Sequence, residues 1–123
     1  MKYKIQISTG ELVDKITILE IKLSKIKDEQ KLKNVKKEYD ILVKNIPDYK
    51  DIEQYEPLFS VNKQLWNVED KLRKIEKEKK FDLSFVELAR KVYKLNDKRA
   101  SLKREINIEC GSDLIEEKQY VNY

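Results

Sequence analysis

An arginine sits where an aliphatic residue belongs. Phe85, Leu88, Val92, Leu95, Arg99, Leu102 and Ile106 advance in alternating steps of three and four, the spacing that lines one face of a helix. A guanidinium in such a row is costly unless it meets a carboxylate, binds an anion or reaches water along its aliphatic stem. Glu69, Glu20 and Asp14 are the candidate carboxylates. An internal Arg–carboxylate network is the leading expectation. The rival is a cleft in which Arg99, Arg90 or Arg104 receives a phosphate or carboxylate.

Other polar residues extend this region. Tyr93 and Asn96 adjoin the Arg99 row, and Ala89 and Ala100 leave room for a second helix to come close. Lys103 joins them, although with Asp97 and Lys98 it also fits ordinary solvent-side charge patterning. Asn62, Trp66 and Glu69 share one helical row. Trp66 reads as a core anchor in preference to a ligand contact. Lys15 and Glu20 lie amid apolar residues, where they could face a polar seam with Arg99. A carboxylate raised by burial could act as a base, and no reaction class follows from that alone.

Several chemistries are disfavoured by composition. The chain has no histidine and one cysteine, Cys110, so imidazole catalysis, Cys/His zinc sites and an intrachain disulfide are excluded. Its two glycines do not make a phosphate loop. No cofactor and no metal is expected. With 27 basic and 23 acidic residues the net charge is only +4, and Glu76 and Glu78 interrupt the basic run from Lys71 to Lys80. A nucleic-acid partner is therefore not favoured. The opening residues do not resemble a signal peptide and no apolar run is long enough to span a bilayer. A cytoplasmic protein without membrane insertion is expected.

The positioning elements are mostly helices. Tyr3, Ile5 and Ile7 alternate like a short strand. Ser8 and Glu11 have capping-box spacing, with Thr9 as rival cap. The stripe Leu12, Ile16, Leu19, Leu23, Ile26 then gives way to Leu32, Val35, Tyr39, Leu42, Ile46. The step from Ile26 to Leu32 moves the stripe to nearly the opposite face, so a kink or break falls near Asp28, itself a potential cap. Residues 47–57 form a connection, and Leu58, Val61, Leu65, Val68, Leu72 and Ile75 line the next helix, opened by Ser60 or the preceding turn. Asp82 or Ser84 starts the last one, and Gly111 suits a left-handed cap at its end. The expected fold is all-α, a single domain over 1–123. It is an antiparallel bundle of three long helices, the first kinked or split near Asp28, with a short N-terminal extended segment and a docked C-terminal tail.

The segments GELVDKITILEIKLSKI at 10–26, NVKKE at 34–38, VNKQLWNVEDKLR at 61–73, FDLSFVELARKVYKLNDKRASLKREIN at 81–107 and GSDLIEEKQY at 111–120 cover most of the chain in order. On these the sequence resembles an uncharacterised family of short all-helical proteins from bacteria and some large DNA viruses or phages. Its members are often encoded near glycosyltransferase and surface-polysaccharide genes. Asp28-Glu29 departs from the Asp-Pro common in the family at this junction. The resemblance marks Gly10, Glu11, Asp14, Lys15, Thr17, Glu20 and Lys22 near the start. In the two later helices it marks Asn62, Trp66, Glu69, Arg90, Tyr93, Asn96, Arg99, Lys103, Arg104 and Asn107, and in the tail Lys118.

The leading functional expectation is a non-catalytic accessory or interaction module with a protein partner or a second copy of itself, linked through the resemblance to surface-glycan biosynthesis. The alternatives are a small helical enzyme or binding protein for an anionic ligand, and a weak nucleic-acid binder.

Overall fold

A computed structural model describes residues 1–123. Its elements are α1 (Thr9–Lys25), α2 (Glu29–Val43), a 3₁₀ turn (Tyr49–Asp51), α3 (Tyr55–Glu78) and α4 (Leu83–Glu109). The fold is all-helical, but the expectation of three long helices is corrected to four. Ile26 leaves the helix in an extended conformation, and the Asp28 side chain accepts from the Lys31 amide at 2.9 Å to begin α2 afresh. The stripe changes face because the chain turns back, and α2 packs on α1 as a hairpin.

Local chemistry sets the other ends. Ser8 caps α1, accepting from the Glu11 amide at 3.2 Å, and Asp82 caps α4, accepting from Phe85. Helix α3 begins at Tyr55, earlier than Ser60, with Pro57 inside its first turn, where a missing amide proton is harmless. It stops at Lys79, which takes a left-handed conformation. Gly111, also left-handed, ends α4: the Ser112 amide donates to the Asn107 carbonyl at 2.8 Å and the Gly111 amide to Ile108, a Schellman closure. Residues 1–8 form no strand, and Tyr3 and Ile5 are exposed. With no second strand, their alternating pattern has nothing to pair with.

The helices do not all lie side by side. The α3–α4 hairpin is an antiparallel pair of 24- and 27-residue helices, about 36 and 40 Å long. Helix α1 starts beside Asn107 and Lys103 of α4, passes Arg99 and Asn62, and ends beside Tyr55 of α3. It therefore crosses the hairpin near its open end, from one helix to the other. The helical bundle is thus built from two hairpins, with α1 of the first packed across the second.

The core follows from that crossing. Val13, Leu58 and Ile106 are fully buried under Ile46, Ile52, Tyr55 and Leu102. Val61, Leu65, Val68 and Leu95 continue the seam between α3 and α4. Helix α1 is buried on several sides, which explains its wide apolar stripe. Beyond Val68 on α3 and before Leu95 on α4, no residue is fully enclosed.

Candidate functional site

The polar residues converge where α1 crosses the hairpin. Asp14 is 1% exposed and accepts a bidentate pair from Arg99, Nε to Oδ1 at 2.8 Å and Nη2 to Oδ2 at 2.5 Å. Asn62 Nδ2 donates to the same Oδ1 at 2.9 Å and to Thr17 Oγ1 at 2.8 Å. Thr17 in turn donates to the Asp14 carbonyl at 2.7 Å. Three helices thus meet on one carboxylate that accepts three hydrogen bonds. The Asp14 hydrogen bond, against the opposing effect of burial, holds the Arg99 guanidinium above its ordinary pKa. Such fork-to-fork geometry fixes the angle and register of the crossing.

One turn back along α1, the clasp continues. Lys103, whose side chain is 11% exposed, donates to Glu11 at 2.6 Å and lies 3.8 Å from Glu116. Glu11 therefore does not turn back to close a capping box; its carboxylate crosses to α4. The Gly10 amide donates to Asn107 Oδ1 at 2.6 Å, and a Cβ at Gly10 would run into the Lys103 carbonyl. Glycine is required there because the two backbones nearly touch.

The C-terminal tail lies against the outer side of α4. Tyr123 stacks edge-on against Tyr93, with ring centroids 5.1 Å apart, and donates to Asp97. Lys118 pairs with Glu116 at 3.1 Å, and that hydrogen bond is the main reason the Glu116 carboxyl falls below its ordinary range. Arg104 pairs with Glu117 at 2.9 Å. Between tail, α4 and Glu11 lies an open cleft of about 470 Å³, lined in part by Tyr93, Asn96, Arg99 and Lys103. Its cations already face carboxylates: Arg99 on Asp14, Lys103 on Glu11, Lys118 on Glu116. An incoming anion would have to displace them.

The structure brings together Asp14, Asn62, Arg99 and Lys103, with Tyr93 and Asn96 on the adjoining cleft wall. It separates the others. Glu20 lies at the far end of α1, where Tyr55 Oη donates to both its oxygens at 2.9 and 3.0 Å. Tyr39 and Tyr49 share a hydroxyl contact of 2.7 Å, and Tyr49 packs edge-on against Tyr55. Burial pushes the Glu20 carboxyl up, against the opposing effect of the Tyr55 hydrogen bond, and burial also raises the Tyr49 and Tyr55 phenols. Lys15 and Arg90 are exposed, Trp66 is half-buried, and Glu69 stands at the edge of the outer part of the hairpin. Arg99 thus meets neither Glu69 nor Glu20. Glu116 belongs to the clasp and was not among the expected site residues; Glu11 was marked by the resemblance, but its spacing from Ser8 pointed to a cap role and not to Lys103.

A second feature lies outside the clasp. The face of the hairpin that receives α1 continues past it as a shallow trough, with Leu72, Phe85, Ala89 and Val92 in its floor and Glu69, Arg73 and Glu76 along α3. The rows prove the continuity. On α4, Lys103 and Arg99 lead to Asn96, Val92, Ala89 and Phe85 in steps of three and four; on α3, Asn62 leads to Leu65, Glu69, Leu72 and Glu76. Val86 is 46% exposed, and Phe81 and Leu83 near the hairpin tip are also exposed.

Fold and site together define an all-helical protein of crossed hairpins, locked by a buried aspartate and open along one apolar face. The chain belongs to a family of unknown function, DUF6165, whose profile matches residues 3–123. No curated protein and no solved structure matches it. No helix is long and apolar enough to cross a membrane.

Proposed function

We propose that the protein is an interaction module that receives an amphipathic helix of a protein partner in the α3–α4 trough. The clasp around Asp14 then has a mechanical role, holding α1 and α2 at the base so that the outer hairpin stands clear. One observation carries this reading. The face that buries α1 runs on without a covering helix, its apolar floor of Leu72, Phe85, Ala89 and Val92 only half-buried, and a contiguous apolar face rimmed by charge marks a contact surface. The engaged state of the cleft cations supports it, since binding an anion there would first break existing ion pairs.

A photo-reactive phenylalanine analogue at Ala89, introduced in the native cell, tests this proposal. A discrete cross-linked adduct at Ala89, and none from the same group at exposed Lys37 on α2, is the expected result. Absence of any adduct at Ala89 would end the reading. Surface-polysaccharide machinery is the partner class that the resemblance suggests, and the identity of the captured protein tests that separately.

A further inference from the structure

Resting on the reading above, we infer that the helix pair seated in the trough is the same outer hairpin of a second copy, related by a twofold axis and completing an antiparallel four-helix bundle.

Surface area is the first argument. The chain exposes 9294 Å², whereas a compact monomer of its 14.8 kDa exposes about 7,000 Å². Extended termini contribute to the excess, and so does the outer hairpin, which has only two helices where a core needs more. A stable interface takes roughly 800 Å² from each partner. The excess of about 2,300 Å², part of it from the termini, is larger than that amount.

Shape is the second. A twofold contact must be self-complementary. The trough lies between two helices of nearly equal length that run in opposite directions, so an inverted copy presents the same ridge pattern to it. Ala89 lies in the floor, where a small side chain lets helices approach closely, and Phe85 and Val92 flank it one turn away on either side. Overlap is limited to the outer halves because α1 occupies the inner part of the same face.

Sedimentation of the full-length chain over a range up to about 300 µM tests the inference, because twofold association depends on concentration. The expected result is a dimer at the upper end. Ala89→Glu, which would bury an unpaired charge at the axis, should raise the dimer dissociation constant at least about 100-fold while the helical circular dichroism is retained. Val86→Glu serves the same purpose at a more exposed position should the first variant unfold. A parent chain that stays monomeric throughout, or folded variants that dimerise as tightly as the parent, would overturn the second-copy assignment. If the chain is monomeric yet Ala89 cross-links to a different protein, only this inference falls. If Ala89 yields no adduct of any kind, the underlying reading falls with it.

Discussion

The two ends of the α3–α4 hairpin solve the same problem in opposite ways. Both present one face made from the same rows of residues. At the base that face is closed by α1, and its interior holds an aspartate bound by arginine and asparagine. At the outer end it is apolar, shallow and open. The difference teaches that the polar groups are placed where orientation has to be fixed. Apolar contact alone lets crossed helices slide and rotate, whereas a bidentate carboxylate on a third helix admits one arrangement. The outer face needs no such group within the chain, because no third helix packs there.

Removing the closing carboxylate gives the largest expected effect. Asp14→Ala leaves Arg99 and Asn62 without their shared acceptor and should destabilise the fold by about 4 kcal/mol, the cost of breaking a buried pair from one side. Urea unfolding followed by circular dichroism measures it. A loss below about 1 kcal/mol, typical of surface pairs, would erase the distinction between the two ends.

Matched apolar truncations sharpen the comparison. Ile106→Ala, at a fully buried position in the base, should cost about 3 kcal/mol. Leu83→Ala, 71% exposed at the hairpin tip, should change monomer stability by less than about 0.5 kcal/mol. Both are read from the same denaturation curves at protein concentrations too low for association. Equal losses would mean that the outer hairpin is packed as tightly as the base.

Particular residues show how far the sequence reveals this. The anomalous place of Arg99 was legible because a charge in an apolar row demands a partner. The identity of the partner was not. Spacing tells which face of a helix a residue occupies, but not where a second helix crosses it, so Glu69, Glu20 and Asp14 looked equivalent. Only the crossing point, between Gly10 at Asn107 and Glu20 at Tyr55, singles out Asp14. The same crossing makes Lys103 an interior residue although its neighbours suggest a solvent face. The shift of stripe between Ile26 and Leu32 carried the break at Asp28, but a three-helix count does not distinguish a kink from a full reversal. Tyr3, Ile5 and Ile7 had the pattern of a strand without a partner, and pattern alone does not make a sheet.

The smallest expected effect comes from Glu20, a half-buried carboxylate of α1, and it contrasts with Asp14 on charge. Asp14 meets a guanidinium; Glu20 meets the hydroxyl of Tyr55, and burial raises its pKa despite that bond and the more distant Lys50. With its folded-state pKa above the ordinary carboxylate value, the native protein keeps a proton over a window where the unfolded chain has lost it. Stability contributed by this group therefore falls as pH rises upward from about 4.5. Glu20→Gln keeps a carbonyl to accept from Tyr55 and removes the titration. Its stability relative to the parent should rise across that window, with a difference below about 1 kcal/mol at pH 7. Parallel stability curves for variant and parent from about pH 4 to 7 would mean that Glu20 is as well solvated as a surface glutamate.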